Sequence, residues 1–443
     1  MNEPKAAQNA TTLLGRAVLT GEGLLFDHGV VLRGGVVERI APVSELQALA
    51  GQVLDLRDQL ILPGFVNGHT HMYGVLSHGI PSSAAVTDFC SFLRAYWWPL
   101  VEDRIDRELA ELTAQWACCA MTSSGVTCFA DILEAPFAVP GALERVAGAV
   151  RQAGLRGYLS VEASERVDAA AAQAALFEND AFTRAHAADA MIRGMMSIHT
   201  LFTCSEAFVL QAAELARQNG SRLHMHLSES AYEPAWCEKH YGKRPVEVYD
   251  SFGCLDENVF ASQAVQLSAG EIAAFAKSGA SAVSMPLSNC EVGGGVAPLT
   301  ELLTAGVRVG LGSDGYIDNF FEVMRGAFLI HKAHRLDPQA MPAKQVYDMA
   351  TRLGAEALGR ADLGRIAPGC AADIITVWAD AHTPVTKENI YDQLVLFRNP
   401  EDVQNVFVGG ERLKAEGRLA RLDSAEIGSR LRAACASFWS GVR

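Results

Sequence analysis

Two histidines stand two residues apart in ILPGFVNGHTHMYG (Ile61 to Gly74), at the end of an apolar run punctuated by Pro63 and Gly64. Such a run reads as a buried strand, and on an extended backbone His69 and His71 project to the same side. Neutral imidazole is a favoured ligand for zinc and similar ions, so the pair can form half of a metal site. Two polar residues on one strand face are the plainer reading. The spacing recurs in HMHLSES, where His224 and His226 are followed by Glu229. One of these imidazoles could bind an ion while the carboxylate serves as general base toward water. Asp314, in VGLGSDG, sits between small residues at a strand end and is either a turn or helix cap or a catalytic carboxylate. His199, in SIHTLFTCS, either points into the same mouth or is a satisfied core residue. His28, His78, His186, His240, His331, His334 and His382 show no ligand spacing, and His331 and His334 are expected on a solvent-facing turn of a helix.

Elements able to bring these residues together are legible in the same sequence. After the first histidine strand, apolar segments predict strands over 126–131, 157–162, 195–200, 222–227, 259–263, 282–285 and 307–314. Helical patterns over 104–123, 140–153, 205–218 and 268–278 fall between them. Eight strands interleaved with helices over about 300 residues fit a (β/α)8 TIM barrel, an α/β fold whose chemistry sits at the C-terminal strand ends. The polar residues singled out above fall at those ends. Short β-rich segments over 13–19, 29–37 and 53–56, and again over 372–378 and 403–413, predict a small flanking β-sandwich built from both ends of the chain. The expected division is a composite domain of residues 1–62 and 367–443, with a terminal helix over 424–443, around a barrel of residues 63–366.

The aromatic segment DFCSFLRAYWWPL (Asp88 to Leu100) leaves the first strand on a long excursion. Phe89, Phe92, Tyr96 and Trp97 recur at helical spacing, which suits packing on the barrel or a lid whose rings stack on a flat substrate.

The composition is that of a globular chain: 443 residues, 49% hydrophobic and 20% charged, with no low-complexity tract. A net charge of −14 with dispersed acids argues against nucleic acid or an anionic membrane as partner. The opening MNEPKAAQNATTLLG lacks a signal-peptide pattern and no apolar stretch is long enough to span a bilayer, so a cytoplasmic location is expected. Ten cysteines without a C-x-x-C pair are expected to be reduced thiols, none of them metal-bound.

With PGFVNGHTH, GVTCFAD, HTLFTCS, HLSE, SNCEVGGGVAPLTELLTAGVRVGLGSDG and GRIAPGCAADIITV in this order, the chain resembles the amidohydrolase superfamily over nearly its whole length. It is most similar to the branch of cytosine deaminase-like, S-adenosylhomocysteine deaminase-like and triazine hydrolase enzymes. The resemblance implies His69, His71, His226 and Asp314 as metal ligands, Glu229 as proton shuttle and His199 as a substrate contact. It decides for His226 over His224, because the family's shuttle glutamate stands three residues after the ligand. Two positions depart from the family pattern. Gln263, in SQAVQL, replaces the usual sixth-strand histidine, and SMPLSN replaces H-C-P-x-S-N. Gln263 cannot titrate but can hydrogen-bond the attacking oxygen or the substrate.

The function this resemblance implies is hydrolytic deamination of an amino-substituted N-heterocycle of purine, pyrimidine, pterin or triazine type. Catalysis is expected from Glu229, Asp314 and Gln263, with substrate held by His199, Gln263 and Trp97. One divalent ion is implied; zinc suits three histidines and a carboxylate, and iron(II) or manganese accepts the same donors. Loss of chloride, an alkylamine or a thioether from a triazine-like ring is the alternative reaction, and a catalytically silent heterocycle-binding relative is the alternative class. The resemblance also implies a homo-oligomer.

Overall fold

Glycine-bounded aliphatic and β-branched runs build the barrel, and because parallel strands are covered on both faces they are buried without alternation. Val126–Leu133, for example, is buried at every position. The computed structural model describes residues 10–440 and 442. The first nine residues, and with them most of the N-terminal segment read above, lie outside the described residues.

The eight barrel strands are, in order, Phe65–Thr70, Val126–Leu133, Arg156–Val161, Ile192–Gly194 continued by Met196–Ser197, Leu223–Leu227, Val259–Gln263, Ser281–Ser284 and Arg308–Leu311. All adjacent pairs are parallel. The eighth strand pairs with the first through Leu311 and Asn67, which closes the sheet. The fourth strand is interrupted at Met195: its first half pairs with the third strand and its second half with the fifth. Between strands, the helices Arg107–Ser124, Ala142–Ala153, Glu206–Asn219 and Ala269–Ser278 lie within two to three residues of their expected bounds. The Asp106 side chain caps the first of these by accepting from the Leu109 amide, and left-handed Gly125 ends it.

The flanking β unit expected from both chain ends is a nine-stranded mixed sheet. Its join is the antiparallel pairing of Gln52–Pro63 with Ile374–Trp378. Gly409 and Gly410, both at positive φ, turn Val403–Val408 into Glu411–Ala415. The terminal helix Ser424–Ser440 packs on the helix Arg107–Ser124.

One expectation is overturned. His331 is buried, not solvent-facing, because the segment carrying Ala297 covers that turn of the helix Phe320–Arg335. Its two ring nitrogens lie 2.8 and 3.2 Å from the Ala327 and Ala297 carbonyl oxygens, whereas His334 one turn on is exposed.

Candidate functional site

His69 is the penultimate residue of the first strand and His71 follows the strand's end, and their Nε2 atoms lie 3.2 Å apart. The Nδ1–H of His71 donates to the Ile132 carbonyl at 2.7 Å, so Nε2 of the neutral ring carries the lone pair. Around that atom stand His69 Nε2, Asp314 Oδ1 at 3.4 Å and Glu134 Oε1 at 3.6 Å. His226 brings Nε2 to 3.8 Å from the same Glu134 oxygen, with its ring centroid 5.1 Å from His69 and 5.5 Å from His71. Imidazole and carboxylate groups converge with no lysine or arginine among them. Such a donor set fits a divalent ion, which would remove the mutual repulsion.

The expected ligands come together as overlapping triplets: His69, His71 and Asp314 form one, and His71, Glu134 and His226 another. His224 also stays within reach, in a triplet with His69 and His226. Its ring stacks on His69 at 5.1 Å and its Nδ1 lies 2.9 Å from Ser197 Oγ.

Strained backbone aims several of these groups. Ser228, Gln263, Ala264 and Asp314 all have positive φ, and all lie at or just past the C-terminal ends of barrel strands. The eighth strand stops at Leu311 because the chain then turns inward. The Ser313 and Asp314 amides both donate to the His69 carbonyl, and Asn67 exchanges two hydrogen bonds with Ser313. A Cβ on Gly74 would lie 2.5 Å from Gly315, so only glycine lets these two loops meet. Gln263 Nε2 donates to Asp314 Oδ2 at 2.8 Å, which leaves Gln263 Oε1 buried without a partner. Behind Glu229, the buried Glu233 carboxylate accepts from the amides of Ser228 and Leu201 and fixes the turn.

A cavity of about 170 Å³ opens over this centre, with His71, His199, His226, Glu229, Gln263 and Asp314 on its wall. Phe89, Phe92, Tyr96 and Trp97 form the opposite side, so the aromatic excursion faces the cavity as well as packing on the barrel. Trp97 lies 5.5 Å from Phe92 and 6.1 Å from Tyr73 between ring centroids. His199 shares a 2.8 Å hydrogen bond with Thr203 through Nδ1, and burial, with His226 beside it, pushes its pKa down to about 3. It is therefore a neutral group at neutral pH. Burial raises the Glu229 carboxyl well above the ordinary glutamate range, with Asp314 and Glu134 adding to the shift. A buried carboxyl shifted in this direction is suited to proton transfer.

Sequence reasoning missed Glu134 and Glu162, which extend the second and third strands into the mouth, and buried Glu102 beyond the aromatic segment. Tyr73 donates its hydroxyl to Glu134 Oε2 at 2.8 Å, and Glu162 Oε2 lies 3.3 Å from His226 Nδ1. Burial drives Glu102 and Glu162 well above the usual range, with Glu134 adding to both. Glu134, although burial opposes it, is held well below by His71 and by hydrogen bonds with those two carboxyls. The available signal was position alone: both mouth glutamates lie at strand C-termini, as Asp314 does.

A closed parallel barrel with paired histidines and carboxylates at its C-terminal mouth defines a class of barrel hydrolases. The chain belongs to the amidohydrolase family, whose model matches residues 60–413, as the motif resemblance implied. It is 33% identical over 423 residues to the 5-methylthioadenosine/S-adenosylhomocysteine deaminase of Nitratidesulfovibrio vulgaris strain Hildenborough, covering 90% of this chain and 92% of that one. It is 32% identical over 411 residues to the 5'-deoxyadenosine deaminase of Methanosarcina mazei, with 90% and 92% covered. Among solved structures, an adenosine deaminase from Xanthomonas campestris with bound zinc superposes with a TM-score of 0.89 at 24% identity, covering 97% of this chain and 98% of that one. The zinc-complexed atrazine chlorohydrolase of Arthrobacter aurescens gives a TM-score of 0.82 at 22% identity, with 96% and 100% covered. At these identities the two structures speak for the fold. No helix among the described residues is long and apolar enough to cross a membrane.

Proposed function

We propose that the protein is a metal-dependent deaminase that hydrolyses an amino-substituted N-heterocycle and releases ammonia. One observation carries this reading: Glu229 shares a single aromatic-walled cavity with His71, His226 and Asp314, and burial holds its carboxyl well above the ordinary glutamate range. The curated deaminase relatives at 32–33% identity support the same reaction.

His69, His71, His226 and Asp314 would hold the ion, with zinc the favoured metal. When bound, a divalent ion supplies Lewis acidity that lowers the pKa of water from about 16 toward roughly 7. Glu229 takes one proton from the attacking water and passes it to a ring nitrogen as the C–O bond forms, and then carries the second proton of that oxygen to the amine, which leaves as ammonia as the carbonyl forms. Asp314 orients the water. His199, neutral and fixed by Thr203, holds the ring edge, and Trp97 covers its face. An amine needs a proton to leave and chloride does not, so Glu229 favours the amine over a halide as leaving group. We further place the boundary between barrel and flanking domain at residues 62–63 and 366–367, and we expect a homo-oligomeric cytoplasmic enzyme.

The test is ammonia release from a panel of aminopurines, aminopyrimidines, pterins and aminotriazines, with protein of determined metal content. Release from one scaffold, abolished by His226→Ala, is the expected result. A metal-replete sample inert toward every amine would overturn the reading.

A further inference from the structure

We infer that this pocket selects a cationic, donor-rich heterocycle and rejects rings carrying an anionic group, with Glu134 as the recognising carboxylate. The inference rests on the deaminase reading of the same site and adds the charge of the substrate to it.

Charge is the first observation. Glu134, Glu229, Glu291 and Asp314 line the cavity, and no lysine or arginine does among the described residues. The nearby guanidinium of Arg166 is committed elsewhere, to Glu102 at 2.7 Å and Asp103 at 2.8 Å, with its carbon 5.1 Å from the Trp98 ring centre. A divalent ion offsets two of the four carboxylates. Even when Glu229 carries its proton, one negative charge on the wall stays unmatched. A phosphate or carboxylate on the ligand would meet like charge with no counter-ion, whereas a protonated amidine or guanidine-like ring would match it.

Hydrogen-bonding capacity is the second and independent observation. Gln263 is 1% exposed, its amide nitrogen is spent on Asp314, and its Oε1 is a buried acceptor without a partner on the cavity wall. Glu134, which lines the cavity, is anchored through Oε2 by Tyr73, and its Oε1 lies 3.6 Å from His71 Nε2 and 3.8 Å from His226 Nε2. A buried unmet acceptor is expensive, and a ligand N–H satisfies it. Trp97 and Phe92, nearly parallel at 24°, add the aromatic faces to which cations are attracted. The cavity, at about 170 Å³, is of the size that holds a single ring, since a cavity of about 150 Å³ takes up benzene.

The experiment uses metal-replete protein and three isosteric probes: a neutral diaminopyrimidine, its permanently cationic N-methyl form, and a carboxylate-substituted form. Binding is read from tryptophan fluorescence and ammonia release is measured in parallel. The cationic probe should bind at least about tenfold more tightly than the neutral one, the scale of one charge-assisted contact in a desolvated site, and the carboxylate should not bind. In Glu134→Gln with full metal content, the ratio of cationic to neutral binding should fall toward one. Equal binding of the three probes would overturn the inference, as would loss of metal from Glu134→Gln, which would make Glu134 a ligand. Should that variant fail to fold, Glu291→Gln at the rim must still reduce the preference for the cation. Cation-selective binding without ammonia release would leave the inference standing and sink the deaminase reading; equal turnover of neutral and anionic rings would do the reverse.

Discussion

The third barrel strand carries a buried charged residue at one end and meets another just past its far end, and the two are treated in opposite ways. At its N-terminal end Arg156 donates through Nε and Nη2 to both oxygens of Asp373, at 2.7 and 3.0 Å. Its Nη1 donates to the Ala190 carbonyl, and the Gly409 amide donates to Asp373, so every polar group at this junction of barrel and flanking sheet is matched. Past its C-terminal end Glu162 enters a mouth where His69 Nδ1, His224 Nε2, His226 Nδ1, Gln263 Oε1 and one Glu162 oxygen have no hydrogen-bond partner. Buried polar groups are ordinarily satisfied. A matched pair holds the fold; an unmatched cluster of polar groups is kept for something that binds.

The contrast can be broken from either side. Glu229→Gln should reduce turnover by about 10²–10⁴-fold, the range for loss of a positioned proton-transfer group, with denaturation midpoint and metal content unchanged. Turnover within a factor of a few of wild type would remove Glu229 from the mechanism. Arg156→Met should do the converse. It strands a buried carboxylate and should lower stability by about 3–5 kcal/mol in denaturant titration, while the folded fraction keeps its metal and its KM. A loss of metal without loss of stability would show that the two strand ends are not separable in this way.

Lys414, on the flanking strand Glu411–Ala415, sharpens the comparison, since it is a buried cation with carbonyls as hydrogen-bond partners and only Glu401 partly opposing the effect of its burial. Its ammonium donates to the Ser123 and Pro400 carbonyls, at 2.9 and 3.2 Å, and burial pulls its pKa down to about 8. Below that pH the group is charged in both folded and unfolded chains and the fold bears the full penalty. Between about 8 and the unfolded value near 10.4, only the unfolded chain binds the proton, so stability rises with pH. The stability difference between wild type and Lys414→Met should therefore move toward wild type by up to about 3 kcal/mol from pH 7 to 10.5. A difference that does not vary with pH would place the charge in solvent.

Much of this was legible from periodicity. The eight strands and the i, i+2 histidines are local patterns, and the barrel's geometry converts them directly into side-chain direction. Glu134 and Glu162 were not legible, because a single acid at a strand end has no spacing that distinguishes it from a cap. His331 was misplaced because helix periodicity does not show which loop packs over which turn. The break in the fourth strand at Met195 follows Gly194, where a Cβ would lie 2.4 Å from Thr183 Oγ1, and the two halves pair with different neighbours.

Gln263 is the hardest of these to read from sequence and gives the smallest expected effect. At this position the resemblance implies a histidine, and an amide was expected to serve the attacking oxygen or the substrate. Its backbone at φ 72 instead turns the amide nitrogen onto Asp314 Oδ2, while Asp314 Oδ1 accepts from Gly315 and faces His71. We propose that Gln263 is a positioning residue, fixing which carboxylate oxygen would meet an ion. Groups that orient a metal ligand typically contribute 10–100-fold to metal affinity or activity. Gln263→Ala should therefore weaken metal binding by about that factor in chelator competition, and Gln263→Asn, too short to span the 2.8 Å contact, should not rescue it. If both variants hold metal as tightly as wild type and lose only substrate affinity, the side chain serves the ring through Oε1 alone, and Asp314 is held by its own backbone.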